Sequence, residues 1–328
     1  MKKQTSPYYS LENIERLLNV KREYLRKIAN TAGAYYDPFD MQQIKSDGKI
    51  KWRHIDNPQK PLKEIQRKIL KKILLKNLLQ LPDGMIGGVA GKSIKDNALP
   101  HTKQEMVVTI DIKDCFPNTT DKMIFNVWAN TVDCGRQSSL FTKLTTFRTI
   151  LPQGAPTSSA LCNLSLLPLF NEIKVYADAN NIAFTLYVDD ITISGKVINV
   201  LPAIGTIIKK IQKYGFGVRR EKIAIMPANV PQKTTGLNTN EKVNIAQRKI
   251  EGVRNKILLI AKRINGITTR EFNSINGDIL FIHGITKEKA EKLREFADLL
   301  LPKTLMEGEG EEEKKPITTK CRHHKRNK

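Results

Sequence analysis

The chain is poor in the residues that staple a fold or carry it across a membrane. It has four cysteines in 328 residues, Cys115, Cys134, Cys162 and Cys321, with no C-x-x-C pair. That spacing suggests neither a disulfide framework nor a zinc knuckle, so reduced thiols are expected. No stretch approaches the roughly 18 uncharged apolar residues that a membrane span needs. The opening MKKQTSPYYSLEN lacks the apolar core of a secretory signal. A cytoplasmic protein without a membrane span is the expectation. Acidic residues are scarce relative to basic ones: 33 Asp plus Glu against 55 Lys plus Arg, a net charge of +22. A soluble chain this basic meets a polyanion, with nucleic acid the first candidate. No internal repeat is visible, and the regular strand–helix alternation of a doubly wound sheet is missing.

What is present is enough apolar material, 40% of residues, for a packed core divided into two or three subdomains around one cleft. SLENIERLLN and KREYLRKIAN predict two short helices, the first capped by Ser10. PLKEIQRKILKKILLKNLLQL, residues 61–81, predicts a long helix with Leu62, Ile65, Ile69 and Ile73 on one face and Lys and Arg on the other. MVVTIDI, 106–112, reads as a buried strand ending in charge. Residues 121–149 read as mainly helical, and LPQG at 151–154 interrupts them. An apolar helix, SSALCNLSLLPLF, comes next, followed by two strands, a helix from about Leu201 to Tyr214, and GFGVRREKIAIM as turn, strand and basic edge. From Ile245 to Leu301 the pattern is helical, with Ile250, Val253, Ile257, Ile260 and Ile264 as an apolar stripe. The tail pieces EGEGEEEKK and TTKCRHHKRNK lack core residues and are expected to be disordered. His323 and His324 beside Cys321 lack the partner ligands a metal site needs.

FTLYVDDITISG, 184–195, places Asp189 and Asp190 inside an apolar, β-branched run. Asp111 likewise ends an apolar strand. Buried carboxylates persist when paired or when they hold a metal. If the two segments are neighbours, their carboxylates repel one another. A pair of Mg²⁺ ions relieves that repulsion, and two ions about 4 Å apart clamp an in-line phosphoryl transfer. Side-chain alternation favours Asp189 as the more direct ligand, with Asp190 supporting. An ordinary Asp-Asp turn explains the pair equally well when it is taken alone.

IDIKDCF (110–116), LPQGAPTSS (151–159) and YVDD (187–190) occur in an order and at spacings that together resemble motifs A, B and C of reverse transcriptases. KWRHIDNPQKPLKEIQ (51–66) resembles the fingers motif, and GGVAGKSIKDNALPH (87–101) resembles the next fingers block. GFGVRREK resembles motif D. The N-A-x-x-H of Asn97, Ala98 and His101, and TTGL at 234–237, resemble hallmarks of the retron type. Thr234, Ser159 and Cys115 depart from the usual pattern, which leaves the subclass open and no expected metal ligand altered.

The resemblance implies an α+β, right-hand polymerase fold. Its parts would be N-terminal helices and fingers at 1–105, a palm at 106–240 with helices 121–150, a short helical thumb at 241–305 and a tail at 306–328. It implies RNA-directed DNA synthesis with two Mg²⁺ ions, or Mn²⁺ in their place. Asp111, Asp189 and Asp190 would be catalytic and metal-binding, and the carbonyl of Ile112 would add a ligand. Phe116 would gate the ribose 2′-oxygen in favour of dNTPs. Arg53 and Lys92 would meet the triphosphate, Gln153 and Gly154 would approach the nucleotide, and Lys222 would protonate pyrophosphate. Asn97 and His101 would hold a loop or contact RNA, and a satisfied structural histidine is the better reading of His101. Arg248, Lys249, Arg254, Lys256, Lys262 and Arg263 would face an RNA–DNA hybrid. Retron enzymes further imply a structured noncoding RNA as template and primer, an RNA-linked multicopy single-stranded DNA, and anti-phage defence beside an effector protein. The alternatives are another prokaryotic or group II intron-like reverse transcriptase, or an idle palm that scaffolds nucleic acid.

Overall fold

The computed structural model describes residues 10–44, 50–132, 134–263 and 267–301, and the chain divides into two compact units at Ala246 and Gln247. The charged tail with Cys321, His323 and His324, and Ile264 of the apolar stripe, lie outside the described residues.

The first unit opens with α1 (Leu11–Leu18), capped by Ser10 Oγ accepting from Asn13 N, and α2 (Arg22–Asn30). A hairpin of β1 (Tyr36–Ile44) and β2 (Ile50–Pro58) follows. α3 (Lys60–Ile69) passes through a π-helical stretch, Leu70–Leu74, into α4 (Leu75–Leu78). The expected face of Leu62, Ile65, Ile69 and Ile73 is buried. The short α5 (Ile94–Ala98) then precedes β3 (Met106–Lys113). After α6 (Cys115–Asn118), α7 (Asp121–Val132), α8 (Gly135–Thr145) and α9 (Ser158–Ala179) come β4 (Ala183–Tyr187) and β5 (Asp190–Gly195). α10 (Val197–Lys213) starts before the expected Leu201 and carries Pro202 inside it. The buried stripe Val200, Ala203, Ile207 and Ile211 outweighs the hydrogen bond that proline removes. β6 (Gly217–Val218) and β7 (Ala224–Pro227) complete an antiparallel sheet of order β4-β5-β3-β6, with β7 also on β3. A smaller antiparallel sheet holds β8 (Lys233–Thr234), β9 (Leu237–Asn238) and β10 (Asn244–Ile245).

Alternation decides what the larger sheet presents. Val108, Ile110 and Ile112 of β3 and Ile191 and Ile193 of β5 are all 1% exposed or less. They share the face that packs on α9 and α10, as do Phe184 and Leu186; the rings of Phe184 and Phe170 stand 4.9 Å apart. Each such side chain contributes about 1.5–3 kcal/mol on burial. Slipping the register by one residue would turn the whole set to the opposite face, so the register is strongly fixed.

The second unit is three helices, α11 (Gln247–Ala261), α12 (Thr269–Ile285) and α13 (Lys287–Leu300), as the helical pattern predicts. Its core includes Ile250, Val253, Ile257, Ile275, Ile279, Ile282 and Leu293. No described helix is long and apolar enough to cross a membrane.

Candidate active site

The fixed register of β3 on β5 sets Asp111 directly opposite Asp190. Opposed residues in an antiparallel pair have Cα atoms about 4.5–5.5 Å apart. Tyr187 pairs with Asp190, so Val188 and Asp189 form a two-residue hairpin turn. The carbonyl of Asp189 accepts from Ile112 N at 2.9 Å, which ties the turn to the end of β3. It is therefore Asp190, at the first position of β5, that the sheet aligns with Asp111; the turn lifts Asp189 out of the simple alternation.

The turn is strained. Val188 has φ of 59°, a left-handed conformation that β-branched residues rarely adopt and that two-residue turns usually give to glycine. It persists because neighbouring backbone enforces it. Ile86 N donates to Leu186 O at 2.9 Å, and Leu186 N donates to Gly84 O at 2.8 Å. Gly87 then lies so close that a Cβ there would sit 2.5 Å from Val188 N. Asn163 Nδ2 anchors Gly87 O at 2.6 Å.

The electrostatics are equally uncomfortable. Burial, followed by repulsion from Asp189 and Asp111, pushes the Asp190 carboxyl up to about 6. Burial also raises Asp189, with the charge of Asp111 adding to it. Asp111 Oδ1 accepts from Lys222 Nζ at 2.6 Å, and Arg219 Nε stands 3.5 Å from Oδ2, which makes no hydrogen bond. Arg219 also pairs with Asp114. Among the described residues no three acidic, histidine or cysteine side chains form a ready metal cage. The donor chemistry still fits a hard divalent cation: crowded carboxylates, one oxygen without a hydrogen bond, and a cationic group already drawn to Asp111. Asp111, Asp189 and Asp190 are the residues that would hold it. Ile112 is buried beside them.

The remaining expected residues are distributed as follows. Phe116, in α6 just after β3, is partly buried against the core. Asp56 N donates to Gln153 O at 2.8 Å, and Gln153 N lies 3.3 Å from Asp56 Oδ2, so the LPQG loop is fastened to β2. Gly154 has φ of 126°, and a Cβ there would meet Ile55 Cγ2 at 2.8 Å. The closest approach it permits is thus to the β2 strand. Arg53 shares with Ile55 the hairpin face turned to Gly154. Lys92 instead pairs with Asp83 at 2.9 Å.

Asn97 and His101 are fully buried. Asn97 Nδ2 reaches Thr235 Oγ1 at 3.5 Å, and His101 bonds Ser194 and Thr185. On α11, Lys249 and Lys256 both hold Asp278, each at 2.9 Å, and Arg263 pairs with Glu271. Arg254 lies over the ring of Phe296, 4.5 Å from its centre. Arg248 and Lys262 are exposed. Among the described residues Cys115, Cys134 and Cys162 form no disulfide. Gly87, Arg219 and Asp114 did not stand out in the sequence. Gly87 lies in a motif already noted, and Arg219 stands three residues before Lys222, which was singled out without it.

The α+β fold, with carboxylates at the end of β3 and in the β4–β5 turn of its antiparallel sheet, is that of a polymerase. Residues 44–248 match the family described as reverse transcriptase (RNA-dependent DNA polymerase). The retron Ec86 reverse transcriptase of Escherichia coli is 31% identical over 250 residues, covering 76% of this chain and 77% of that protein. The retron Mx65 reverse transcriptase of Myxococcus xanthus is 27% identical over 271 residues, covering 76% of this chain and 61% of that protein. The structure of apo telomerase from Candida tropicalis aligns with a TM-score of 0.49 and 11% identity, over 85% of this chain and 62% of that one. The chain belongs to the reverse transcriptases, RNA-directed DNA polymerases, and within them to the retron type.

Proposed function

We propose that the chain copies a cognate structured noncoding RNA, which supplies both template and primer, into multicopy single-stranded DNA that stays joined to RNA, in an anti-phage defence system with an effector protein. The single observation that carries the catalytic part is the register placing Asp111 opposite Asp190 with Asp189 bound to Ile112. In this reading residues 1–105 serve as fingers, 106–240 as palm and 241–305 as thumb. Asp111, Asp189 and Asp190, with the Ile112 carbonyl, would hold two Mg²⁺ ions, or Mn²⁺, which when bound would neutralise charge on the attacking and leaving oxygens. Lys222 exchanges its contact with Asp111 for one with the pyrophosphate leaving group, to which it delivers a proton. Arg219, held between Asp111 and Asp114, keeps Asp111 in place. Phe116 excludes the ribose 2′-hydroxyl, so dNTPs are selected. Arg53 meets the triphosphate from the β1–β2 hairpin, beside Gln153 and Gly154. Arg248 and Lys262 track the backbone of the RNA–DNA hybrid, whose near A-form shape is read largely without sequence.

The test is direct. Purified protein with its copurifying RNA, Mg²⁺ and labelled dNTPs incorporates label into DNA linked to that RNA. Replacing Asp189 and Asp190 together by Ala abolishes incorporation while RNA binding persists. Equal incorporation by the double variant overturns the site, and a product free of RNA linkage overturns the retron assignment.

A further inference from the structure

His101 is fully buried, yet both ring nitrogens are engaged. Nδ1 lies 2.7 Å from Ser194 Oγ and Nε2 lies 2.8 Å from Thr185 Oγ1. The two hydroxyls sit on opposite strands of the hairpin whose turn carries Asp189: Thr185 on β4, Ser194 on β5. A neutral imidazole offers one donor and one acceptor, and a hydroxyl can complete either bond. One side chain thus bridges both strands.

The register shows what this bridge faces. Tyr187, Thr185 and Ala183 stand opposite Asp190, Thr192 and Ser194. From β3, Asp111, Thr109 and Val107 stand opposite the same three. Because successive side chains alternate, these positions share one face. A polar seam therefore runs from Asp111 and Asp190, through Thr109, Thr192 and Thr185, to Ser194, and ends on His101. Thr185, Thr192 and Ser194 are 2%, 1% and 0% exposed. Burying such a row costs free energy unless the groups find partners, and His101 is the partner at its base. Four residues before His101, Asn97 reaches Thr235 in the β8–β9 turn, so α5 is itself anchored.

We propose that His101 is a positioning residue of the polymerase centre. It fixes how β4 and β5 are offset and so where Asp189 and Asp190 stand against Asp111, and it touches neither RNA nor nucleotide. The turn it braces is strained at Val188 and depends on outside support. The backbone of residues 84–87 supports the turn at its tip, and His101 supports the strands behind it. This inference rests on the polymerase reading.

The experiment is primer extension and RNA binding by full-length variants. A displacement of about 1 Å at reacting groups costs on the order of 100-fold in rate. His101→Leu accordingly lowers kcat by about 10- to 100-fold, while KM for dNTP and the Kd for RNA stay near wild type. His101→Gln, which offers a donor and an acceptor on one planar group, recovers most of kcat. Thr185→Val with Ser194→Ala leaves His101 in place and lowers kcat comparably, and adding His101→Leu to them costs little more. Unchanged kcat in the hydroxyl double variant overturns the proposal. So does weakened RNA binding with kcat retained in His101→Leu, which would make His101 an RNA contact. If His101→Leu does not fold, the hydroxyl double variant decides alone. Wild-type protein in the same assay separates the two readings: no incorporation by wild type defeats the polymerase reading, whereas active wild type with fully active variants defeats this one.

Discussion

The end of the β3–β5 sheet and the helical unit from Gln247 onward handle charge in opposite ways. In the helices, Lys249 and Lys256 share Asp278, Arg263 meets Glu271, and Arg254 covers Phe296. Opposite charges are brought together and backbone conformation is regular. At the sheet end, three carboxylates crowd, two of them are held above their ordinary range, Asp111 Oδ2 lacks a hydrogen bond, and Val188 sits at φ of 59°. A protein does not accumulate repulsion and strain where it needs only stability. The contrast is what supports placing the proposed chemistry at the sheet end, while the helical unit satisfies its own charges. It also changes the picture of α11, because Lys249 and Lys256, expected to face the hybrid, are already committed to Asp278.

That contrast can be broken first at Gly87. A methyl group there would sit 2.5 Å from Val188 N, against backbone that cannot swing away. Gly87→Ala should reduce incorporation by on the order of 100-fold and destabilise the fold by about 1–3 kcal/mol, measured by primer extension and urea unfolding. A methyl placed at Gly252, inside α11, meets nothing within 4 Å, and Gly252→Ala should leave incorporation near wild type and raise stability by about 0.5–1 kcal/mol.

Acid sharpens the contrast next. Burial lowers His101 to about 3, against an unfolded value of about 6.5. Below pH about 6.5 the unfolded chain binds a proton that the native chain refuses, so stability falls by up to about 1.4 kcal/mol per pH unit as pH drops toward 3. Asp190, raised to about 6 by burial and by Asp189 and Asp111, acts with the opposite sign, because the native state binds its proton first. The difference between wild type and His101→Gln isolates the histidine. Unfolding at pH 7.5 and 5.5 should show a smaller acid loss in the variant.

The smallest effect belongs to the satisfied half. Asp278→Asn removes two partly exposed ion pairs and should cost about 0.5–1 kcal/mol, read by thermal unfolding. It releases two ammonium groups, so the salt dependence of RNA binding should steepen by about 1 to 2 in log–log slope. No change in that slope would keep Lys249 and Lys256 out of the nucleic-acid path altogether.

The carboxylate strands were legible in the sequence because an apolar, β-branched run that ends in acid has few stable places in a fold. The helical unit was legible through its isoleucine spacing. The β1–β2 hairpin was not, since YDPFDMQQI mixes Pro38 with acids and amides and shows little alternation. Gly87 against Val188 joins positions about 100 residues apart, and no local pattern encodes that approach. His101 was legible as a satisfied structural histidine, but its partners Thr185 and Ser194 were not, because they lie 84 and 93 residues away in the chain. The Asp278 pairs were hidden for the same reason as Gly87: the partners come from different helices.

The central claim is that the carboxylates of Asp111 and the β4–β5 turn share one divalent cation site. Substituting Fe²⁺ for Mg²⁺ in full-length protein and generating hydroxyl radicals locally cleaves the backbone next to the bound ion, independently of polymerase activity. The account predicts fragments ending near residue 111 and near residues 188–190, suppressed by excess Mg²⁺ and absent in Asp111→Asn. Cleavage at one of these segments only, or a pattern indifferent to Asp111→Asn, would contradict it.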